Sequence, residues 1–147
     1  MGLTCRRYEG MDLGALAQPD AVGRFLVTAF FASVFLQSSL DKVFDRRGNL
    51  EYLRSQFKAV ALVPPGAIPL LLSGLTALEA AAGVVSLAGV VSGDFARRGF
   101  GLAAAGVGLA GLALLTLILG QRIAKDYGGA AVIAAYFAVA LLGISLF

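Results

Sequence analysis

Residues 100–119 read FGLAAAGVGLAGLALLTLIL, a run without a single charged side chain. A helix needs about 20 apolar residues to cross the roughly 30 Å hydrocarbon layer of a bilayer. Three further runs approach this length: FLVTAFFASVFLQSSL after Arg24, and residues 68–91 and 128–147. The sequence therefore predicts four transmembrane helices, numbered one to four along the chain.

The composition also indicates that lipid is the main solvent of this protein. Of its 147 residues, 59% are hydrophobic and 14% are charged, and the mean hydropathy is +0.84. Soluble domains average about 45–50% apolar and 25% charged residues, so this chain has too little polar surface to cover a core in water. Four spans leave no room for a separate soluble catalytic domain. We expect an all-α integral membrane protein built as a four-helix bundle.

The chain divides into a polar head and one membrane domain. Residues 1–22 form the head, which lacks the apolar stretch and small-residue cleavage site of a secretory signal. Residues 23–147 form a single domain, with spans predicted at about 24–42, 66–91, 98–119 and 127–146. Gly120 is placed to stop helix three, and Asp126 to cap helix four.

The segment between helices one and two has a different pattern. Apolar residues recur at helical spacing there, while charged residues occupy other faces. The apolar positions are Leu50, Leu53, Phe57 and Val60. The segment is too short and too charged to span a bilayer. It predicts an amphipathic helix at about 49–62 that lies in the membrane interface and ends before Pro64.

The rare residues exclude several classes of function. Without histidine, the chain cannot supply imidazole ligands to haem, copper or zinc. The single cysteine, Cys5, lies in the head and cannot form an internal disulfide or a Cys-x-x-Cys couple. A net charge of +3, from 12 basic and 9 acidic residues, is too weak and too dispersed for nucleic-acid binding. We expect no metal, no intrinsic cofactor and no nucleic-acid partner.

Small residues follow one face of helix three and one face of helix two. They are Gly101, Ala105, Gly108 and Gly111 on helix three, with Ala82 and Ser86 on helix two. Lipid tails give helices no hydrophobic reason to associate, so small residues stabilise helix pairs by letting the backbones approach closely. The stripes predict either tight packing within the bundle or a contact face for another subunit or a second copy of the chain.

Glu79 is the one acidic residue well inside an apolar run. A charged side chain at the bilayer centre costs about 2.5–3.5 kcal/mol on insertion scales, so it is retained with a partner, a water-filled cavity or a function. Two interpretations stay open. A paired Glu79 can hold helices together, or its carboxyl can carry a proton or bind a ligand.

Polar residues gather at the membrane side where helix one ends and helices three and four connect. They form a candidate site for a quinone, another ligand or a proton above Glu79: Asp41, Lys42, Gln121, Arg122, Asp126 and Tyr127. Lys42 or Arg122 can neutralise Glu79, and Tyr136 in helix four can donate a hydrogen bond to it. Lys42 and Arg24 can instead reach lipid headgroups, and for Arg24 we favour this role.

The distribution of basic residues leaves the orientation open. With both termini on one side, that side carries Arg6, Arg7, Arg24, Arg97 and Arg98. The other side carries Lys42, Arg46, Arg47, Arg54, Lys58, Arg122 and Lys125. The bias that sets topology is therefore near balance.

Three short motifs follow one another along the chain: FLQSSLDKVFD closes helix one, Glu79-x3-Gly83 lies in helix two, and DYGGAA precedes Tyr136-Phe137 in helix four. In order and placement they resemble the DoxX-like family of small four-helix bacterial membrane proteins, with Lys42 and Glu79 at matching positions. The family includes the DoxD-type subunit of thiosulfate:quinone oxidoreductases. The resemblance implies a multi-pass protein of the bacterial cytoplasmic (inner) membrane, with cytoplasmic termini, near quinone-linked redox chemistry.

The leading functional hypothesis is a non-catalytic accessory or structural subunit of a larger redox or respiratory membrane complex. The alternative is a quinone-binding subunit of a membrane oxidoreductase, in which Lys42, Arg122 or Tyr127 hydrogen-bonds a quinone carbonyl and Glu79 or Asp41 carries the proton. Proton-coupled transport of a small solute ranks third. With no histidine and no membrane cysteine, the chain is not expected to be an enzyme on its own. Expected partners are bound lipid or quinone, other membrane subunits or a second copy.

Overall fold

The computed structural model describes residues 19–58, 60 and 63–147. Most of the predicted polar head, with Cys5, lies outside these residues. The described chain forms five α-helices: α1 Pro19–Phe44, α2 Arg46–Phe57, α3 Ile68–Val91, α4 Leu102–Ile123 and α5 Tyr127–Ile144. Short 3-10 turns at Pro65–Ala67 and Asp94–Ala96 precede α3 and α4.

The predicted four-span architecture is confirmed. Four helices, α1, α3, α4 and α5, are long and apolar enough to cross a membrane. The fifth helix, α2, is short and polar and connects the first two spans, where the sequence predicts an interfacial segment. The protein is therefore an all-α, multi-pass membrane bundle with one helix beside the spans.

The first two helices begin earlier than predicted, and each start has a local cause. Helix α1 begins at Pro19, whose fixed φ suits a first turn, and Asp20 places an acid near the positive end of the helix dipole. Helix α2 begins at Arg46 because the Asp45 side chain caps it, accepting from the Gly48 N–H at 3.1 Å. It ends at Phe57, before the predicted limit.

Helix α4 begins and ends later than predicted, at Leu102 and Ile123. Its start follows the Asp94 carboxylate, which accepts from the Ala103 N–H at 3.0 Å. The prediction that Gly120 stops the helix is wrong, because a glycine costs only about 1 kcal/mol within a helix and the apolar neighbours outweigh it. The helix ends just before Lys125, which has a left-handed φ of 62°.

Helix α4 packs mainly between α3 and α5 and also contacts α1. Its inner face carries small and aliphatic side chains that meet two phenylalanines of α1. The fully buried core includes Phe31, Phe35, Ala82, Val107, Ala110, Ala113 and Leu114. The α5 N-terminus follows prediction, with Asp126 as its cap, accepting from the Gly129 N–H at 3.0 Å.

The backbones of α3 and α4 touch through small residues. A Cβ added at Gly106 would lie 2.6 Å from the Ser86 Cα, and one at Gly89 would lie 2.6 Å from the Ala103 Cα. Ala82 and Ser86 of the predicted stripe on helix two are fully buried. The closest contact of α4 with α3 is made instead by the neighbouring face of α4, which carries Ala103 and Gly106. The residues predicted for this stripe are half-buried: Gly101 just before α4, and Ala105, Gly108 and Gly111 within it.

Arg24 does not reach the headgroups, so that prediction is wrong. Its side chain is buried, with 1% exposure. Its Nε donates to the Phe95 carbonyl at 2.7 Å and its Nη1 to the Leu146 carbonyl at 3.1 Å. Carbonyls near helix ends lack intrahelical donors, and the guanidinium supplies them. Arg24 thereby joins α1 to the turn before α4 and to the end of α5.

Two glycines of α4 allow a matched test of the backbone contact. Gly106→Ala is expected to lower the free energy of unfolding by about 1–3 kcal/mol, because the new methyl group meets the α3 backbone. Gly108→Ala, with no atom within 4 Å of the added Cβ, is expected to change it by less than about 1 kcal/mol. Denaturant titration in detergent micelles measures both, and equal losses would contradict the assigned contact.

Candidate functional site

Glu79 forms an ion pair with Lys42 between α3 and α1. The Lys42 Nζ lies 2.8 Å from Oε2 and 3.1 Å from Oε1 of the carboxylate. Glu79 is fully buried, and the Lys42 side chain is 16% exposed. Of the two cations proposed to neutralise Glu79, the structure brings Lys42 to it and leaves Arg122 exposed elsewhere.

Ser38 completes this contact. Its Oγ accepts from the Lys42 Nζ at 2.7 Å and donates to Glu79 Oε2 at 3.2 Å. A lysine ammonium has three N–H groups, and here three acceptor atoms surround it. Lys42 donates two of these hydrogen bonds, to Ser38 Oγ and Glu79 Oε1, and the Ser38–Lys42–Glu79 triad holds its ammonium at the edge of α1 and α3.

The close approach of α1 and α3 makes the triad possible. A Cβ at Gly83 would lie 2.8 Å from the Leu36 backbone nitrogen, so only glycine fits this crossing. Gly83 lies one turn after Glu79 on the same face of α3. The Glu79-x3-Gly83 motif thus has a physical basis: the glycine lets the helices meet, and the acid finds its cation beside the crossing.

A cavity of about 400 Å³ lies next to the triad, between α2, the start of α3 and the end of α4. We call it the α2 cavity. Its apolar wall includes Leu53, Phe57, Leu71, Leu72, Leu75 and Leu119. Its polar positions are Lys42, Asn49, Gln56, Thr116, Gln121 and Asp126. An apolar wall with a few polar groups in this size range is typical of small-molecule sites.

The predicted site residues fall into two groups. Lys42, Gln121 and Asp126 line the α2 cavity, with Glu79 behind Lys42. The others lie elsewhere: Asp41 is exposed, Arg122 stacks on the Tyr127 ring at 5.2 Å, and Tyr136 packs against Phe30 with ring centroids 5.7 Å apart. The structure thus brings together part of the predicted candidate site. Among the described residues, it gives no hydrogen bond between Tyr136 and Glu79.

The α2 side of the cavity was not predicted. Asn49, Tyr52 and Gln56 line it together with Leu53 and Phe57. The spacing of Asn49, Tyr52 and Gln56 places them on one helical face, so the signal was present in the sequence. An analysis of apolar periodicity does not detect this face, because two of its three residues are polar amides.

Gln121 has an unsatisfied polar atom. Among the described residues, its Oε1 is buried without a hydrogen-bond partner. Leaving such an acceptor unpaired costs about 1–3 kcal/mol. The last torsion of a glutamine side chain is broad, so rotation of the amide can turn either polar atom toward the cavity. The Gln121 Oε1 can thus accept from an O–H or N–H of a ligand, and after rotation its Nε2 can donate to a ligand carbonyl.

A double-mutant cycle tests the triad. Lys42→Met is expected to lower the free energy of unfolding by about 3 kcal/mol or more, because it leaves the fully buried Glu79 carboxylate without its partner. Glu79→Leu is expected to cost less, because the Lys42 side chain is 16% exposed and its ammonium can turn toward solvent. The double variant is expected to lose less than Lys42→Met alone. Ser38→Ala, which keeps the ion pair, is expected to cost about 1 kcal/mol. Denaturant titration in micelles gives all four values, and additive losses would contradict the pairing.

Comparisons of the chain with protein-family models, with curated proteins and with solved structures find no match. What the site can bind therefore has to follow from its own side chains. Within the described part of the chain, no cluster of three or more Cys, Asp or Glu residues could hold a metal ion. The site consists of apolar walls, amide groups and an ion pair.

Proposed function

We propose that this protein is a non-catalytic accessory subunit of a membrane redox complex and that it holds a quinone in the α2 cavity. The α2 cavity is the observation that supports this most. It lies beside α2, at the end of the membrane spans, where the ring of a lipid-soluble quinone meets the interface. Its volume of about 400 Å³ suits a ring-sized headgroup.

The walls of the cavity match the two chemical parts of a quinone. Leucine side chains suit the flat ring, and the Gln121 amide can donate a hydrogen bond to one of its carbonyls. The Asn49 Nδ2 already donates to the Asp45 carbonyl at 2.8 Å, so Asn49 serves as a polar part of the wall. Leu71 and Leu119 line the cavity and are 52% and 60% exposed on the spans. This edge faces lipid, so an isoprenoid tail can leave through it into the bilayer.

The triad favours binding over proton chemistry. Because Lys42 donates to Ser38 within α1 and to Glu79 of α3, its first role is to hold α1 against α3. Quinone protonation by Glu79 would require the triad to open, as would proton-coupled transport through it. Both therefore have less support than a binding role, in which electrons come from a partner protein.

The cellular setting rests on the resemblance to the DoxX-like family. It implies the bacterial cytoplasmic membrane, with both termini in the cytoplasm, and this orientation stays a prediction. Labelling of cysteines introduced at Lys58 and Arg97 in intact cells tests it, since both residues are exposed and lie at opposite ends of the bundle. Labelling of the Lys58 position alone from outside is the expected result.

Gly120→Leu tests the quinone site. Gly120 lines the cavity, and its added Cβ would meet no atom within 4 Å, so a leucine there starts without a steric clash and is expected to reduce the space for a ligand. We expect the affinity for decylubiquinone or a menaquinone analogue to fall at least tenfold, measured by native mass spectrometry of the detergent-purified protein. Gly108→Leu is the control, because Gly108 lies on the same helix, away from the cavity, and is equally unhindered.

Two results would count against the quinone site. One is the absence of quinone binding by the unmodified protein. The other is equal binding by the Gly120→Leu variant, since a leucine at this position of the wall is expected to compete with the ring for space. A loss of affinity in both glycine variants would indicate a general change of fold rather than a blocked site.

The accessory role has a separate test. Gly108 is half-buried with open space beside it, so a helix of another subunit can approach there. Purification from native membranes in mild detergent is expected to recover stoichiometric partner subunits, and Gly108→Leu is expected to weaken their retention while quinone binding persists. A chain that purifies alone would contradict the subunit role.

A further inference from the structure

Helix α2 has a second face, opposite the cavity. Arg47, Arg54 and Lys58 are exposed, and at 100° per residue they lie within about 40° of one another around the helix. Asn49 and Gln56, which line the cavity, lie on the other side of the same helix. We call the three cations the α2 basic stripe; it points away from the bundle.

The stripe is not neutralised within the described part of the chain. Neither of the two ion pairs found there includes Arg47, Arg54 or Lys58. Three other cations at this end have partners: Lys42 pairs with Glu79, Arg46 donates to the Ser73 Oγ at 2.9 Å, and Arg122 stacks on Tyr127. Lys125 is exposed in the connection between α4 and α5, outside the stripe. Of the nearby acids, Asp45 caps α2, and Glu51 alone lies beside the stripe.

We propose that the α2 basic stripe binds the phosphates of anionic phospholipids. Only Asp45 separates α2 from the end of α1, so α2 lies where a membrane span leaves the hydrocarbon, at the depth of the headgroups. Phosphates are dense in that layer, and each lysine or arginine near an anionic surface raises the affinity roughly fivefold. The stripe runs along the helix, so its three cations can reach adjacent headgroups.

Lipid binding at the stripe is independent of the quinone proposal, because the two use opposite faces of α2. It also gives α2 a second attachment. No residue of α2 is fully buried, so packing alone holds it weakly against the bundle. Contacts between the stripe and headgroups would fix α2 in place over the cavity from its outer side.

The test compares lipid retention after charge removal. The purified protein is incubated with equal amounts of phosphatidylglycerol and phosphatidylcholine, and bound lipids are counted by native mass spectrometry at 0.05 and 0.5 M salt, conditions that span about a threefold change in screening length. We expect a preference for phosphatidylglycerol that weakens at high salt. In the variant with Arg47→Gln, Arg54→Gln and Lys58→Gln, the ratio of bound phosphatidylglycerol to bound phosphatidylcholine is expected to fall tenfold or more.

Two control variants separate the stripe from general charge effects. Arg97→Gln with Arg98→Gln removes two exposed cations at the other end and is expected to keep the preference within about twofold. Arg47→Lys with Arg54→Lys keeps the charge and is expected to keep binding. Denaturant titration in micelles reports an intact fold in every variant, whether or not the cavity binds a quinone. An unchanged preference in the triple variant, or an equal loss in the Arg97 and Arg98 variant, would overturn the proposal.

Discussion

The contact between Lys42 and Glu79 is the constraint on which the α2 end of this protein depends. A carboxylate that is fully buried in a membrane span needs a cation, and the nearest one is on a different helix. This ion pair fixes the position of α1 along the axis of α3 and its rotation about its own axis. Lys42 also forms part of the cavity wall, so the same ion pair sets the position of the ligand space.

Small residues make this electrostatic contact geometrically possible. Gly83 lets α3 approach the α1 backbone, and Gly106 and Gly89 bring α4 against α3. Helices in lipid have no hydrophobic reason to associate, so close van der Waals contact at each crossing stabilises the helix pair. The α2 cavity lies beyond these crossings, where larger leucines and the start of α3 spread the helix ends apart.

The sequence was sufficient for the fold and for part of the site. The lengths of the apolar runs predict the four spans, because a helix in lipid must be apolar over its whole length. Glu79 stands out as a site residue because a charge inside such a run is costly. The rest depends on distances between helices. Sequence spacing alone does not distinguish Lys42 from Arg122 as the partner of Glu79, does not show that Arg24 turns inward, and does not place Asn49 and Gln56 opposite Gln121.

Arg24 and Lys42 are satisfied in different ways at the two ends of the bundle. Arg24 is satisfied by backbone carbonyls of the turn before α4 and of the chain after α5, so it closes its end by tying three segments together. Lys42 is held by side chains of α1 and α3, and the α2 cavity lies beside this contact, between α2, the start of α3 and the end of α4. Arg24 thus ties three segments together through backbone carbonyls, whereas Lys42 ties two helices together through side chains. Because the Lys42 contact takes no hydrogen bond from α4, the end of α4 can line the cavity without contributing to the ion pair.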